Sequence, residues 1–169
     1  MGLTGTGKSS FVSMITGNQE QGVGHSLTSC TREIKTAKCT IEGSSVVLLD
    51  TPGFNHPEIS DLKILQLITS WLNKTCKQGP LLSILYFHRI TDNRMLWTPL
   101  KDFQRLCRNK PISNIVLTTT MWDEVDEDFG DERLKELRGN DWKTIFRYSN
   151  TQESAKEVLL QLMAVTEGN

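Results

Sequence analysis

Gly2-Leu3-Thr4-Gly5-Thr6-Gly7-Lys8-Ser9, at the start of the chain, decides how everything after it is read. The stretch matches G-x-x-x-x-G-K-[ST] at every fixed position, an accident expected in only about one chain in a hundred or two of this length. Gly2, Gly5 and Gly7 give the backbone the freedom to curl. The amides of Gly2, Leu3, Thr4, Gly5, Thr6 and Gly7 can then close around the α- and β-phosphates of a polyphosphate. The helix that opens at Lys8, Ser9 and Ser10 turns the positive end of its dipole to the same place. Lys8 is long enough to reach the β- and γ-phosphates, and the Ser9 hydroxyl is placed to ligate Mg²⁺. A plain glycine-rich turn before an amphipathic helix would not need Lys and then Ser at its end.

Composition agrees with a domain that binds a small ligand. At 169 residues the chain suits one domain, long enough to bury a sizeable core. Its 37% hydrophobic and 23% charged residues are ordinary for a soluble protein. A net charge of −1 excludes a basic nucleic-acid footprint and a polybasic membrane surface. Cys30, Cys39, Cys76 and Cys107 are scattered without C-x-x-C pairing, which argues against zinc and fits reduced thiols in a cytoplasmic setting. No signal peptide, apolar membrane run or terminal lipidation motif is visible.

Hydrophobic periodicity orders the rest. Phe11, Met14 and Ile15 predict a helix from Lys8 to Gly17, followed by a polar, glycine-containing loop to residue 31. Arg32 to Ile41 alternates loosely, as an edge strand does. The turn Glu42-Gly43-Ser44-Ser45 predicts antiparallel pairing with the apolar strand Val46 to Leu49. Leu62, Leu65, Ile68 and Leu72 recur at helical spacing behind a Ser60 or Asp61 cap, and a buried strand runs from Leu81 to Phe87. Thr98 reads as an N-cap with Pro99 first in its helix, and Ile112 to Thr119 as the next strand. Asp131 to Arg138 reads as a short charged helix closed by Gly139, and Ile145-Phe146 as a brief strand. Asn150 and Glu153 have capping-box spacing before a last helix with the stripe Ala155, Val158, Leu159, Leu162 and Met163. The pattern is an α/β fold: an open, mostly parallel sheet with one antiparallel edge strand and helices on both faces.

Such sheets bind ligands where the strands end, and three of the loops there carry chemistry. Asp50-Thr51-Pro52-Gly53 follows the apolar strand directly. Asp50 can hold Mg²⁺ through a water, and the Gly53 N–H can bond a γ-phosphate. Thr31, at the end of the polar loop, can bring its hydroxyl to the same ion and its backbone to the γ-phosphate; Thr28 competes for that role. Thr120-Met121-Trp122-Asp123 sits where guanine-nucleotide domains carry Asn/Thr-Lys-x-Asp. Asp123 can accept from guanine N1–H and the 2-amino group, donors that adenine does not present together. Met121 stands in the lysine's place, and either its stem or the Trp122 ring can cover the base. Ser149-Asn150 lies where a backbone N–H meets guanine O6.

With these motifs in place, the chain resembles the septin-like GTPases, and among them the GIMAP-type (immunity-associated nucleotide-binding) G domains. The residues that carry the resemblance are Gly2 to Ser9, Ser29-Cys30-Thr31 as S-x-T, Asp50 to Phe54, Thr120 to Asp123, and the polar box His88-Arg89-Ile90-Thr91-Asp92. It implies GTP and GDP binding, Mg²⁺ dependence, slow GTP hydrolysis coupled to a switch, and nucleotide-dependent dimers or oligomers. On this reading Lys8, Thr31 and Gly53 serve hydrolysis and Ser9, Thr31 and Asp50 the metal. Phe54 occupies the position of a water-positioning glutamine and cannot act as one. His25, His56, Arg89 and Arg94 are the alternatives, with Arg89 also able simply to pair with Asp92. Two other readings stay open: an ATP-using P-loop enzyme, and an assembly module that binds nucleotide without turnover. In this fold a strand precedes the phosphate loop in mid-sheet, and only Met1 stands there. The chain is therefore expected to be N-terminally truncated or to fold poorly alone.

Overall fold

Apolar runs along the inner strands put hydrophobic side chains on both faces, and both are covered. The computed structural model describes residues 1–17, 31–75, 82–93, 97–106, 112–139, 142 and 144–167. Strands β1 (Lys35–Ile41) and β2 (Ser44–Asp50) form an antiparallel pair, in register from Lys35 with Asp50 to Ile41 with Ser44. Strands β3 (Leu82–Arg89), β4 (Ile112–Thr120) and β5 (Ile145–Arg147) are parallel, in that spatial order.

On one face, Ile84 and Tyr86 of β3 and Leu117 of β4 pack with helices α2 (Asp61–Thr75), α3 (Trp97–Leu106) and α4 (Glu127–Gly139) through Ile64, Ile68, Leu72, Phe103 and Leu137. On the other, Phe87, Val116 and Phe146 pack with α1 (Lys8–Thr16) and α5 (Gln152–Glu167) through Phe11, Ile15, Ala155, Val158 and Leu159. Phe11 makes edge-to-face contacts with Phe87 and Tyr148, tying α1 to the sheet directly behind the phosphate loop.

The first four residues join the two groups of strands. Phe87 N–H donates to Met1 O at 2.8 Å, and Gly2 bridges Phe87 in parallel. On the other side Phe54 N–H donates to Gly2 O at 3.0 Å, and Thr4 N–H donates to Phe54 O at 2.9 Å. Residues 1–4 thus lie between β3 and the segment that follows β2, the place where the sequence calls for a central strand.

Several boundaries differ from the sequence expectation, each for a local reason. Helix α4 starts at Glu127, four residues before Asp131, because Asp126 Oδ1 accepts Phe129 N–H at 2.8 Å and caps it. Helix α3 starts at Trp97, so Thr98 lies inside it and Pro99 is third, still within the first turn where no N–H is needed. At α5 the cap is Thr151, whose Oγ1 accepts Ser154 N–H at 3.1 Å. Asn150 instead has φ 56° and accepts from the Tyr148 hydroxyl through Oδ1. Of the two caps the sequence offered for α2, Ser60 serves, accepting Lys63 N–H, and Asp61 is the first helical residue.

Candidate functional site

The phosphate loop is held open by its glycines. Gly5 and Gly7 have φ of 79° and 85°, the left-handed region that side chains avoid. Gly7 is the N-cap of α1 and supplies no side-chain acceptor, and the helix's first turn holds no acidic residue. Free amides at that end suit an anion. Within the loop, Lys8 Nζ donates to Leu3 O at 2.7 Å and Thr6 Oγ1 to the same carbonyl at 2.9 Å. Lys8 is largely buried, so its ammonium is held at the loop rather than in solvent.

Beside the loop, three hydroxyl and carboxylate groups from three segments converge. Ser9 Oγ donates to Asp50 Oδ2 at 2.6 Å and lies 3.0 Å from Thr31 Oγ1, which in turn is 3.4 Å from Asp50 Oδ2. Asp50 is only 5% exposed and its second oxygen, Oδ1, is buried with no hydrogen-bond partner. A carboxylate desolvated and half-satisfied beside two hydroxyls is a poor arrangement for its own sake and a good one for a hard cation. All three residues assigned to the metal are therefore brought together. Thr28, the competitor of Thr31, lies outside the described residues.

The segment after Asp50 lies against the loop. Thr4 Oγ1 donates to Gly53 O at 3.2 Å. A Cβ on Gly53 would sit 2.5 Å from Thr4 N, so only glycine allows this approach. Phe54 is fully buried in the core, which removes it from any role with water. His56, two residues on, accepts Glu58 N–H through Nδ1, while its buried Nε2 has no partner.

At the opposite side, Thr120, Met121, Trp122 and Asp123 leave β4 through a short 3₁₀ turn, Trp122–Glu124. Asp123 is exposed and Thr120 is buried. Trp122 does not hang over a base: its indole N–H bonds Thr119, its ring packs on Gly130, and Arg147 stacks on it with its guanidinium carbon 4.0 Å from the ring centroid. Of the two residues that the sequence offered as a cover, Met121 alone remains, half-buried and held at φ 60°. Ser149 N–H is engaged by Ser154 Oγ at 2.9 Å.

Sequence reasoning missed the place of Arg89. Its Nε and Nη2 donate to Gly5 O at 3.1 and 2.8 Å, so it grips the phosphate loop from the end of β3. The suggested pairing with Asp92 is corrected: Asp92 meets Arg89 through its backbone N–H, on Arg89 O, and no ion pair joins them among the described residues. An arginine 84 residues from its partner leaves no spacing signal. His25 and Arg94 lie outside the described residues.

Comparison with known proteins agrees with this geometry. Residues 1–118 match the family model described as 50S ribosome-binding GTPase. No curated protein matches the chain. Among solved structures, a chain from work described as showing that dimerization is important for the GTPase activity of the chloroplast translocon components Toc33 and Toc159 superimposes with TM-score 0.68 at 17% identity, covering 100% of this chain and 82% of that one. A dimerization-deficient mutant of Toc33 from Arabidopsis thaliana gives 0.64 at 19% identity, over 89% of this chain and 69% of that one. Bacterial selenocysteine-specific elongation factor EF-Sec gives 0.65 at 16% identity over 99% of this chain, which spans only 28% of that protein. At such identities the structures speak for the fold alone. With the family model covering more than half of it, the chain belongs to the 50S ribosome-binding GTPase family and is a GTP-binding P-loop G domain.

Proposed function

We propose that this domain is a Mg²⁺-dependent guanine-nucleotide switch of the GIMAP or septin-like type, slow in hydrolysis and active as a nucleotide-dependent dimer in the cytoplasm. The observation that carries the reading is the Ser9–Asp50–Thr31 cluster beside the phosphate loop, with Asp50 Oδ1 buried and unpartnered. Ser9 and Thr31 hydroxyls and the Asp50 carboxylate would hold the ion, which neutralises charge on the β- and γ-phosphates when bound. Lys8 orients the same phosphates. Thr31 would engage the ion and the γ-phosphate only in the triphosphate state. Asp123, exposed at its turn, selects guanine.

Support for assembly comes from the burial of Phe54, which leaves hydrolysis without a water-positioning glutamine, and from neighbours for whose GTPase activity dimerization is described as important. Competition of GTP and ATP for the purified chain tests base choice. GTP is expected to win by at least about 100-fold, and Asp123→Asn to erase most of that preference, because a base-facing carboxylate left without its two donors is costly. Equal affinity for the two nucleotides, unchanged by the substitution, would favour the ATP-using alternative. Turnover per protomer is expected to rise with protein concentration. A flat, negligible rate would favour the assembly module without turnover.

A further inference from the structure

Arg89 belongs to the polar box, but its contact with the phosphate loop is one that no motif assigns. It is the last residue of β3, paired in register with Thr120 at the end of β4. Its carbonyl accepts Asp92 N–H at 3.1 Å, and Ile90 N–H next to it bonds Thr120 O at 2.9 Å. The backbone that presents the side chain is therefore fixed on both sides, at the strand end where the base-reading loop departs. From that anchor two guanidinium donors, Nε and Nη2, converge on a single oxygen, Gly5 O. A Cβ at Gly5 would lie 2.6 Å from Nη2, so the glycine is what lets the guanidinium come in this close.

The carbonyl of Gly5 shares its peptide unit with the N–H of Thr6, and in a trans peptide the two point opposite ways. No cis peptide occurs among the described residues. With the oxygen held from the Arg89 side, the Thr6 N–H faces away from Arg89, and hydrogen bonding at the oxygen strengthens the amide as a donor. Arginine keeps its charge at every accessible pH, and its planar fork suits two parallel bonds better than a lysine ammonium does.

We propose that Arg89 is a positioning residue of the phosphate site. Its guanidinium fixes the Gly5–Thr6 peptide so that the Thr6 N–H meets the diphosphate, and it sets a positive charge behind the loop. The proposal rests on the guanine-nucleotide reading above.

Titration of the full chain with fluorescently labelled GDP in Mg²⁺ tests it, using wild type, Arg89→Ala, Arg89→Lys and Lys8→Ala, with folding checked by circular dichroism and melting. Arg89→Ala is expected to weaken GDP about 10- to 100-fold, the range for losing hydrogen bonds to a charged group. Arg89→Lys is expected to recover only part of that loss. Millimolar methylguanidinium is expected to restore binding to Arg89→Ala and to do nothing for Lys8→Ala, a response that a merely structural latch would not give. Wild-type affinity in Arg89→Ala, full recovery in Arg89→Lys, or no rescue by methylguanidinium overturns the proposal. Should Arg89→Ala fail to fold, Arg89→Gln replaces it, with the same expected order of Arg, then Lys, then Gln. Failure of wild type to bind GDP would instead remove the guanine reading, and this proposal with it. Wild-type binding that is lost in Lys8→Ala but kept in Arg89→Ala overturns the role of Arg89 alone.

Discussion

Met121 stands at φ 60°, a conformation that costs a residue with a Cβ on the order of 1 kcal/mol or more. It does so in the loop proposed to read the base, between the buried Thr120 and Trp122. Strain at such a point has a use if the side chain is needed over the ligand. Met121→Gly should therefore pull in two directions: stability up by about 1 kcal/mol in denaturant melts, nucleotide affinity down several-fold. A variant that gains stability and loses no affinity would remove Met121 from the site. His88 gives a second prediction. It is 2% exposed, and its Nε2 has no hydrogen-bond partner. Burial pulls its pKa below the ordinary 6.5; Asp92 opposes the shift by charge and by a backbone hydrogen bond, and Arg133 adds to it. The folded state thus resists a proton that the unfolded state accepts. His88's contribution to stability is full above about pH 6.5 and falls as pH drops below it, until the lower folded-state pKa is passed. His88→Gln should flatten that part of the stability–pH curve, and an unchanged slope would assign it elsewhere.

At the scale of elements, most of the fold was legible, and the exceptions share a cause. The 3.6 period placed the α-helices, and short apolar runs placed the inner strands, because a strand covered on both faces is apolar throughout; the 3₁₀ turn Trp122–Glu124, too short to show a period, was not foreseen. What the pattern could not show was which of several polar residues would cap a helix. Helix α4 was begun at Asp131 rather than behind its cap Asp126, and Thr151 was passed over for Asn150, because capping depends on one backbone turn rather than on composition. Thr151→Ala is expected to lower stability by about 1 kcal/mol in thermal or urea melts, and Asn150→Ala by much less. The reverse ranking would mean that the capping-box reading of the sequence was right after all. The site shows the same division. Gly2 to Ser9, Asp50 and Thr31, which the structure brings together, could be named from the sequence because polyphosphate chemistry asks for fixed residue types at fixed spacing. The contact of Arg89 could not, since its partner is a backbone carbonyl and a carbonyl has no sequence signature.

Across the whole molecule, residues 1–4 do two jobs at once. They pair with Phe87 on one side and Phe54 on the other, joining the two groups of strands, and they form the first half of the phosphate loop. The segment bearing Gly53 and Phe54 is hydrogen-bonded to that loop, and Arg89 reaches it from the far strand, so ligand in the loop would be felt on both sides of the sheet. That loop's capacity to bind a polyphosphate is what the proposed function requires first. Calorimetric titration of the full chain with GDP and Mg²⁺, in wild type and in a Lys8→Ala variant shown to be folded, measures it most directly. Saturable binding by wild type that weakens at least about tenfold in the variant is the predicted result. Equal affinity in both would contradict the account.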